Sequence, residues 1–157
     1  MMSTIYVDTR EKPHAITEIL ADFERQGVTV IRQKLDEGDY MSSPSGSITV
    51  DRKQNLDEIC GNLTWQKARF QRELRRASDK GTTIYVLCEH GGGITCLRDV
   101  RSWLNPRRKE SPKALDGPRL YQLMLSYASK YGVKWKFCEK NRTGFEILRL
   151  LGSEKVG

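Results

Sequence analysis

The stretch GDYMSSPSGSITVDRK (38–53) carries the residue types best suited to chemistry. In an extended strand successive side chains point to opposite faces, so Thr49, Asp51 and Lys53 share one face while Val50 and Arg52 share the other. Asp39 lies on the preceding arm of the same expected hairpin and can bring its carboxylate beside that of Asp51. Two carboxylates and a lysine on one face suit a divalent cation and a phosphate. Carboxylate oxygens are ligands for a hard cation, and the ammonium holds or polarises an attacking water or a phosphate oxygen. Bare carboxylates at close range repel, so such a pair favours a cation between them. The competing account is a set of ordinary turn and edge-strand charges, since Asp-x-Lys is a common pattern. On this stretch alone the two accounts carry equal weight.

The surrounding elements must position these side chains. TIYVD (4–8) reads as a short strand ending on the carboxylate of Asp8. Ile16, Ile19, Leu20 and Phe23 recur at helical spacing and predict an amphipathic helix over 14–26, with Gly27 as its C-cap. VTVIRQKL (28–35) predicts a strand and Gly38 a turn; a short strand follows around Tyr40, and SPSG (43–46) forms a hairpin loop into SITVDRK (47–53). Helical patterns return over 55–63 and 64–78, the second with Thr64 as N-cap. TTIYVLCEH (82–90) is an apolar run of strand length, as in a strand buried on both faces. Beyond it the pattern predicts a short helix over 97–104, an exposed basic loop at 105–118, a helix over 120–131, an alternating strand over 133–138 and a last helix over 143–151. Strands alternating with helices predict an α/β fold of three layers, a mixed central sheet flanked by helices.

At 157 residues the chain reads as a single domain, 1–157, with enough length to bury a core. Hydrophobic residues at 38% and charged residues at 30% exclude a disordered or low-complexity chain. No apolar run approaches the ~20 residues that span a bilayer, and no secretory leader pattern opens the chain, so a cytoplasmic protein is expected. Four cysteines occur without a CxxC pair; Cys60, Cys88 and Cys138 lie in apolar segments and read as reduced core thiols. A zinc set of Cys88, His90, Cys96 and Cys138 matches no standard module. Charge is unevenly placed: residues 1–60 hold seven basic and eleven acidic residues, and residues 61–157 hold twenty and nine. An acidic part able to hold a cation and a basic part able to hold a polyanion suit a metal-dependent enzyme acting on nucleic acid, although a solvated basic surface would read the same way.

VDTRE (7–11), GDY (38–40) and VDRKQNLDEI (50–59) occur in that order at short spacing. Together they resemble the nuclease core of the XPF family of structure-selective DNA endonucleases, whose signature is GD, then ERK, then Asp four residues after that Lys. The resemblance runs from Ile5 to about His90 and more loosely through VKWKFC and TGFEILRLL. It implies a restriction-endonuclease-like fold and hydrolysis of phosphodiester bonds in branched, flap or junction DNA with Mg²⁺ or Mn²⁺, as in DNA repair and recombination. Carried over by position, it implies Asp39 and Asp51 as metal ligands, with Asp8 and Glu11 as further candidates, and Lys53 as the catalytic lysine. Arg10, Arg52 and Asp57 join the same catalytic cluster, although Asp57 reads equally well as an N-terminal helix charge. This chain departs from the pattern in having Asp51 where the family usually has Glu, which touches metal preference and rate. The tandem helix-hairpin-helix domain that commonly follows the core has no counterpart before Gly157, so the expectation is a short form similar to those of bacteria and their viruses.

Candidate DNA contacts are Arg69, Arg72 and Arg76, which recur with Arg75 at helical spacing, and Arg107, Arg108, Lys109 and Lys113 in the basic loop. A solvated helix face accounts equally well for the first group. Trp65, Trp103 and Trp135 read as core or interface side chains. Leu120, Leu123, Met124, Tyr127, Ala128 and Tyr131 exceed one core stripe and suggest a homodimer surface, unless the helix is buried on two sides within one domain. No small-molecule cofactor is expected. The alternative to an enzyme is a catalytically silent DNA-binding or partner subunit of a nuclease complex.

Overall fold

The β-branched segments pair into one six-stranded sheet in the computed structural model, which describes residues 3–154. Its strands are β1 (Thr4–Val7), β2 (Thr29–Arg32), β3 (Tyr40–Met41), β4 (Ile48–Lys53), β5 (Thr83–Cys88) and β6 (Lys134–Phe137), in spatial order β2-β1-β3-β4-β5-β6. β3 runs antiparallel to β1 and β4, and the other neighbours are parallel, so the sheet is mixed. Helices α1 (Thr17–Arg25), α2 (Leu56–Leu63), α3 (Lys67–Asp79), α4 (Gly117–Tyr131) and α5 (Thr143–Gly152) complete the domain.

Side-chain alternation along the strands divides the core in two. Ile5, Val7, Val50 and Leu87 point to the layer of α1 and α5, where they pack with Ile19, Phe23, Ile147 and Leu151. Ile84, Val86 and Cys88 point to α2, α3 and α4, where they pack with Leu56, Ile59, Phe70, Leu74 and Met124. Val50 therefore faces the first layer, while Thr49, Asp51 and Lys53, on the opposite parity, face the side of α2 and α3.

The structure moves several expected boundaries. The first helix begins at Thr17, because Pro13–Ala15 forms a separate 3-10 turn. Thr64 does not cap α3. Its hydroxyl donates back to the Cys60 carbonyl at 2.6 Å, so it closes α2, and Gln66 precedes α3 without a side-chain cap. The 97–104 segment is a 3-10 turn, Leu97–Ser102. The chain enters α4 at Gly117 rather than 120, with the Asp116 carboxylate accepting the Arg119 N–H at 2.8 Å as the cap.

The apolar surplus on this last helix is taken up inside the chain. Leu120, Met124 and Tyr127 are buried, and Leu123, Ala128 and Tyr131 pack at the edge of the same core. The feature that suggested a second copy thus has an internal explanation.

The turn before β3 rests on Gly38, whose φ is +72°. A Cβ there would collide with the buried side chain of Thr49. Gly27 has the same φ with open space around it. Gly38→Ala is therefore expected to lose more stability than Gly27→Ala, with the left-handed backbone alone costing about 1–3 kcal/mol at either position. Urea midpoints of the two variants check this; equal midpoints would show that Thr49 gives way freely.

Candidate active site

The C-terminal ends of β1 and β4 and the turn into β3 converge on one cleft of ≈ 780 Å³. Asp39 enters it through its backbone: its N–H donates to the Val50 carbonyl and its own carbonyl accepts the Asp8 N–H, both at 2.8 Å. One carboxylate oxygen, Oδ2, accepts the Arg52 N–H at 2.8 Å. The side chain then lies against that of Asp51, and burial, together with the charges of Asp51 and Glu11, pushes the Asp39 carboxyl well above the ordinary carboxylate range. Lys53 Nζ stands 3.6 Å from Asp51 Oδ2. Burial opposes the charge on Lys53, but Asp51 and Asp39 outweigh it and hold the ammonium above its usual pKa.

This donor set fits a hard divalent cation. Asp39 and Asp51 face one another with oxygen lone pairs that protein donors leave open, and Mg²⁺ is commonly bound through one or two carboxylates with waters and phosphate filling the rest. Among the described residues no three His, Cys, Asp or Glu side chains form a ready-made metal cluster. The zinc set drawn from the cysteines gains no support either: His90 Nδ1 accepts the Leu56 N–H at 3.0 Å, and burial pushes the Cys88 thiol up to about 12.

The other expected acids are engaged elsewhere. Asp8 Oδ1 accepts the Leu35 N–H at 2.8 Å and Oδ2 accepts Arg10 Nε–H at 2.6 Å, while Arg10 also donates to the Leu35 carbonyl at 2.8 Å. Glu11 Oε2 accepts Tyr40 O–H and Arg52 Nε–H, each at 2.6 Å, and Oε1 accepts a second guanidinium N–H at 3.1 Å. Both carboxylates line the cleft, each with three protein N–H or O–H donors, and so have fewer open lone pairs for a cation than Asp39 and Asp51. Asp57 sits in the first turn of α2, capped by Asn55, and receives Arg107 of the basic loop through two hydrogen bonds at 2.7 and 3.1 Å.

Arg52 lies on the far face of β4, its side chain 7% exposed. It bridges Glu11 and Glu89, the latter at 2.6 Å, and the Glu89 carboxylate also accepts the Thr143 hydroxyl. Its guanidinium is engaged by these two acids on the face of β4 opposite Asp51 and Lys53. Tyr40, Glu89 and Thr143 escaped the sequence reading, because nothing local marks a partner that lies dozens of residues away.

The basic residues separate by helical face. Arg69 and Arg76 line the cleft with Glu73 between them, whereas Arg75 stacks its guanidinium 5.9 Å from the Tyr131 ring centroid and Arg72 is exposed outside the cleft. Glu73 is a further acid missed in the sequence. It accepts the Gly38 N–H at 3.2 Å, and burial with the charge of Asp51 raises its pKa. Its signal was the 69, 73, 76 spacing, which places it on the face of Arg69 and Arg76. The loop is exposed but closed on itself: Asn105 donates to the Leu115 carbonyl at 2.8 Å, and Arg108 donates to those of Pro112 and Ala114 at 2.7 and 2.9 Å. Arg107 and Lys113 of this loop line the cleft, and Lys109 is exposed beside them.

A mixed six-stranded sheet between helical layers, with carboxylates and a lysine at the ends of its inner strands, defines a restriction-endonuclease-like domain. Residues 7–151 match the family model described as the ERCC4 domain, and the chain belongs to that family. The structure is similar to XPF from Aeropyrum pernix, with TM-score 0.64 and 24% identity over 94% of this chain and 63% of that one. A complex of XPF from the same organism with DNA matches with TM-score 0.64 and 25% identity over 96% of this chain and 64% of that one. The chain thus spans less than two thirds of the length of these solved chains. No curated protein sequence matches it.

Removing Arg52 would leave the Glu11 and Glu89 carboxylates buried without their cation. Arg52→Ala is expected to cost about 3–5 kcal/mol, as for other broken buried ion pairs. Arg107→Ala, which breaks an exposed pair with Asp57, should leave stability close to that of the wild type. Denaturant unfolding compares them, and equal losses would show that the buried bridge is not what holds the site together.

Proposed function

We propose that this chain is a divalent-metal-dependent DNA endonuclease that hydrolyses phosphodiester bonds and selects branched, flap or junction DNA. The observation that carries the proposal is the Asp39–Asp51 pair with the charged Lys53 beside it, on the floor of a cleft that Arg69, Arg76, Arg107 and Lys113 also line. Membership of the ERCC4 domain family supports it, as does likeness to a structure titled as a complex with DNA.

Asp39 and Asp51 would hold Mg²⁺ or Mn²⁺. Bound there, the cation supplies stabilisation of charge on the phosphate and a water of lowered pKa. Lys53, kept charged by both aspartates, is placed to hold a phosphate oxygen or the attacking water. Arg52 fixes the strand from behind and the Asp39 carboxylate through its own backbone N–H. The rim cations orient the DNA backbone by phosphate contacts, which carry no sequence information of their own. Among the described residues no helix is long and apolar enough to cross a membrane.

Labelled duplex, flap, splayed-arm and four-way DNA incubated with and without Mg²⁺ or Mn²⁺ tests the proposal. Metal-dependent cutting is expected, and Asp51→Ala or Lys53→Ala should lower its rate by about 10²-fold or more while DNA binding largely survives. A variant cutting at the wild-type rate would sink the assignment. Binding without cutting by the wild-type chain would instead favour a silent DNA-binding subunit.

Replacing Arg107, Arg108, Lys109 and Lys113 together with Ala should flatten the salt dependence of DNA affinity by about one unit per lost phosphate contact. The total should stay nearer three than four, roughly, because Arg107 is already paired with the Asp57 carboxylate. An unchanged slope would show that DNA does not touch the loop.

A further inference from the structure

Trp65 is 80% exposed, although tryptophan is among the side chains with most to gain from burial. It occupies the corner between α2 and α3 and lines the cleft whose floor carries Asp39, Asp51 and Lys53. The corner is firm: Thr64 Oγ1 donates to the Cys60 carbonyl at 2.6 Å and the Gln66 N–H to the Gly61 carbonyl at 3.0 Å. The indole lies over Gly61, where an added Cβ would come within 3.2 Å of its Nε1. The ring therefore meets the protein at Gly61 and is otherwise open along the cleft.

Its neighbours along the cleft select the occupant. The cleft is lined by eight acids and six cations, yet Arg69, one helical turn from Trp65, and Arg107 and Lys113 of the basic loop line it with the indole, and these three cations can carry the phosphates of a strand whose base meets the ring. Cations serve duplex phosphates without help from an aromatic ring, and bases inside a duplex are already stacked on each other. A phosphate track combined with an exposed indole on a firm corner matches the design of single-strand binding, where successive bases stack on aromatic faces. We propose that Trp65 is the stacking platform for an unpaired base of the DNA strand led into the cleft, and so the residue that makes this chain prefer DNA with an unpaired segment. The proposal rests on the reading of the cleft as a DNA site and names the residue that would read strand state.

The test uses metal-free protein, so that nothing is cut, with an oligothymidylate and a duplex as probes. Fluorescence anisotropy gives both affinities for the wild type, Trp65→Ala and Trp65→Phe. Trp65→Ala should lower the ratio of single-strand to duplex affinity by about 5- to 150-fold, the range of one lost base–aromatic stack, and Trp65→Phe should recover most of it. Single-strand binding should quench the tryptophan emission of the wild type but not that of Trp65→Phe. Thermal melting should match the wild type, because the replaced ring lies outside the core. An unchanged affinity ratio in Trp65→Ala overturns the proposal, as does failure of the wild type to bind the single strand. The two readings fail separately. A chain that binds through Trp65 yet cuts nothing with metal keeps the platform and loses the nuclease, whereas a chain that cuts normally with Trp65→Ala at the wild-type ratio does the reverse.

Discussion

One guanidinium holds the working parts of this domain together. Arg52 is enclosed between Glu11, from the segment after β1, and Glu89, from the end of β5, while Tyr40 and Thr143 complete the hydrogen bonding of those two acids. Five elements of the chain thus meet through a single buried cation. Such a bridge gains little over apolar packing in net stability, but it cannot be rearranged without stranding a charge. Its consequence lies on the opposite face of β4. With Arg52 locked inward, the two-residue repeat of the strand obliges Asp51 and Lys53 to look into the cleft. The Arg52 N–H meanwhile draws Asp39 to the same place.

The charge asymmetry along the chain acquires a spatial meaning from this arrangement. Acids of the first sixty residues gather at the floor, where Asp39, Asp51, Asp57 and Glu58 line the cleft, and cations of the later part, Arg69, Arg76, Arg107 and Lys113, line it with them. Asp39 illustrates the cost of the floor: burial beside Asp51 pushes its carboxyl upward. Lys53 offsets part of that repulsion without removing it. Arg107 already reaches inward to Asp57, which ties the basic loop to α2 and makes the loop a wall of the cleft rather than a free arm.

Much of this was legible in the sequence because it depends on local geometry. Period-two alternation put Asp51 and Lys53 on one face and Arg52 on the other, Gly38 marked a turn that only glycine fits, and apolar periodicity located every major strand and helix to within a few residues. The ordered motifs from Val7 to Ile59 were enough to resemble the family to which the chain belongs.

What the sequence could not decide was which face of an element meets which neighbour. Helical spacing grouped Arg69, Arg72, Arg75 and Arg76, but only packing against the sheet turned Arg69 and Arg76 toward the cleft, sent Arg75 onto Tyr131 and brought Glu73 under Gly38. Asp8 and Glu11 have the residue types of metal ligands, and only the fold brings them donors from Leu35, Tyr40 and Arg52, partners distant in the chain. Trp65 reads as a core or interface residue by type and stands in solvent because the corner of α2 and α3 projects there. Residue type and spacing act through covalent geometry over a few bonds and so are written locally. Exposure, the donors a carboxylate meets and the direction of a helix face depend on contacts across the chain, which exist only once it has folded.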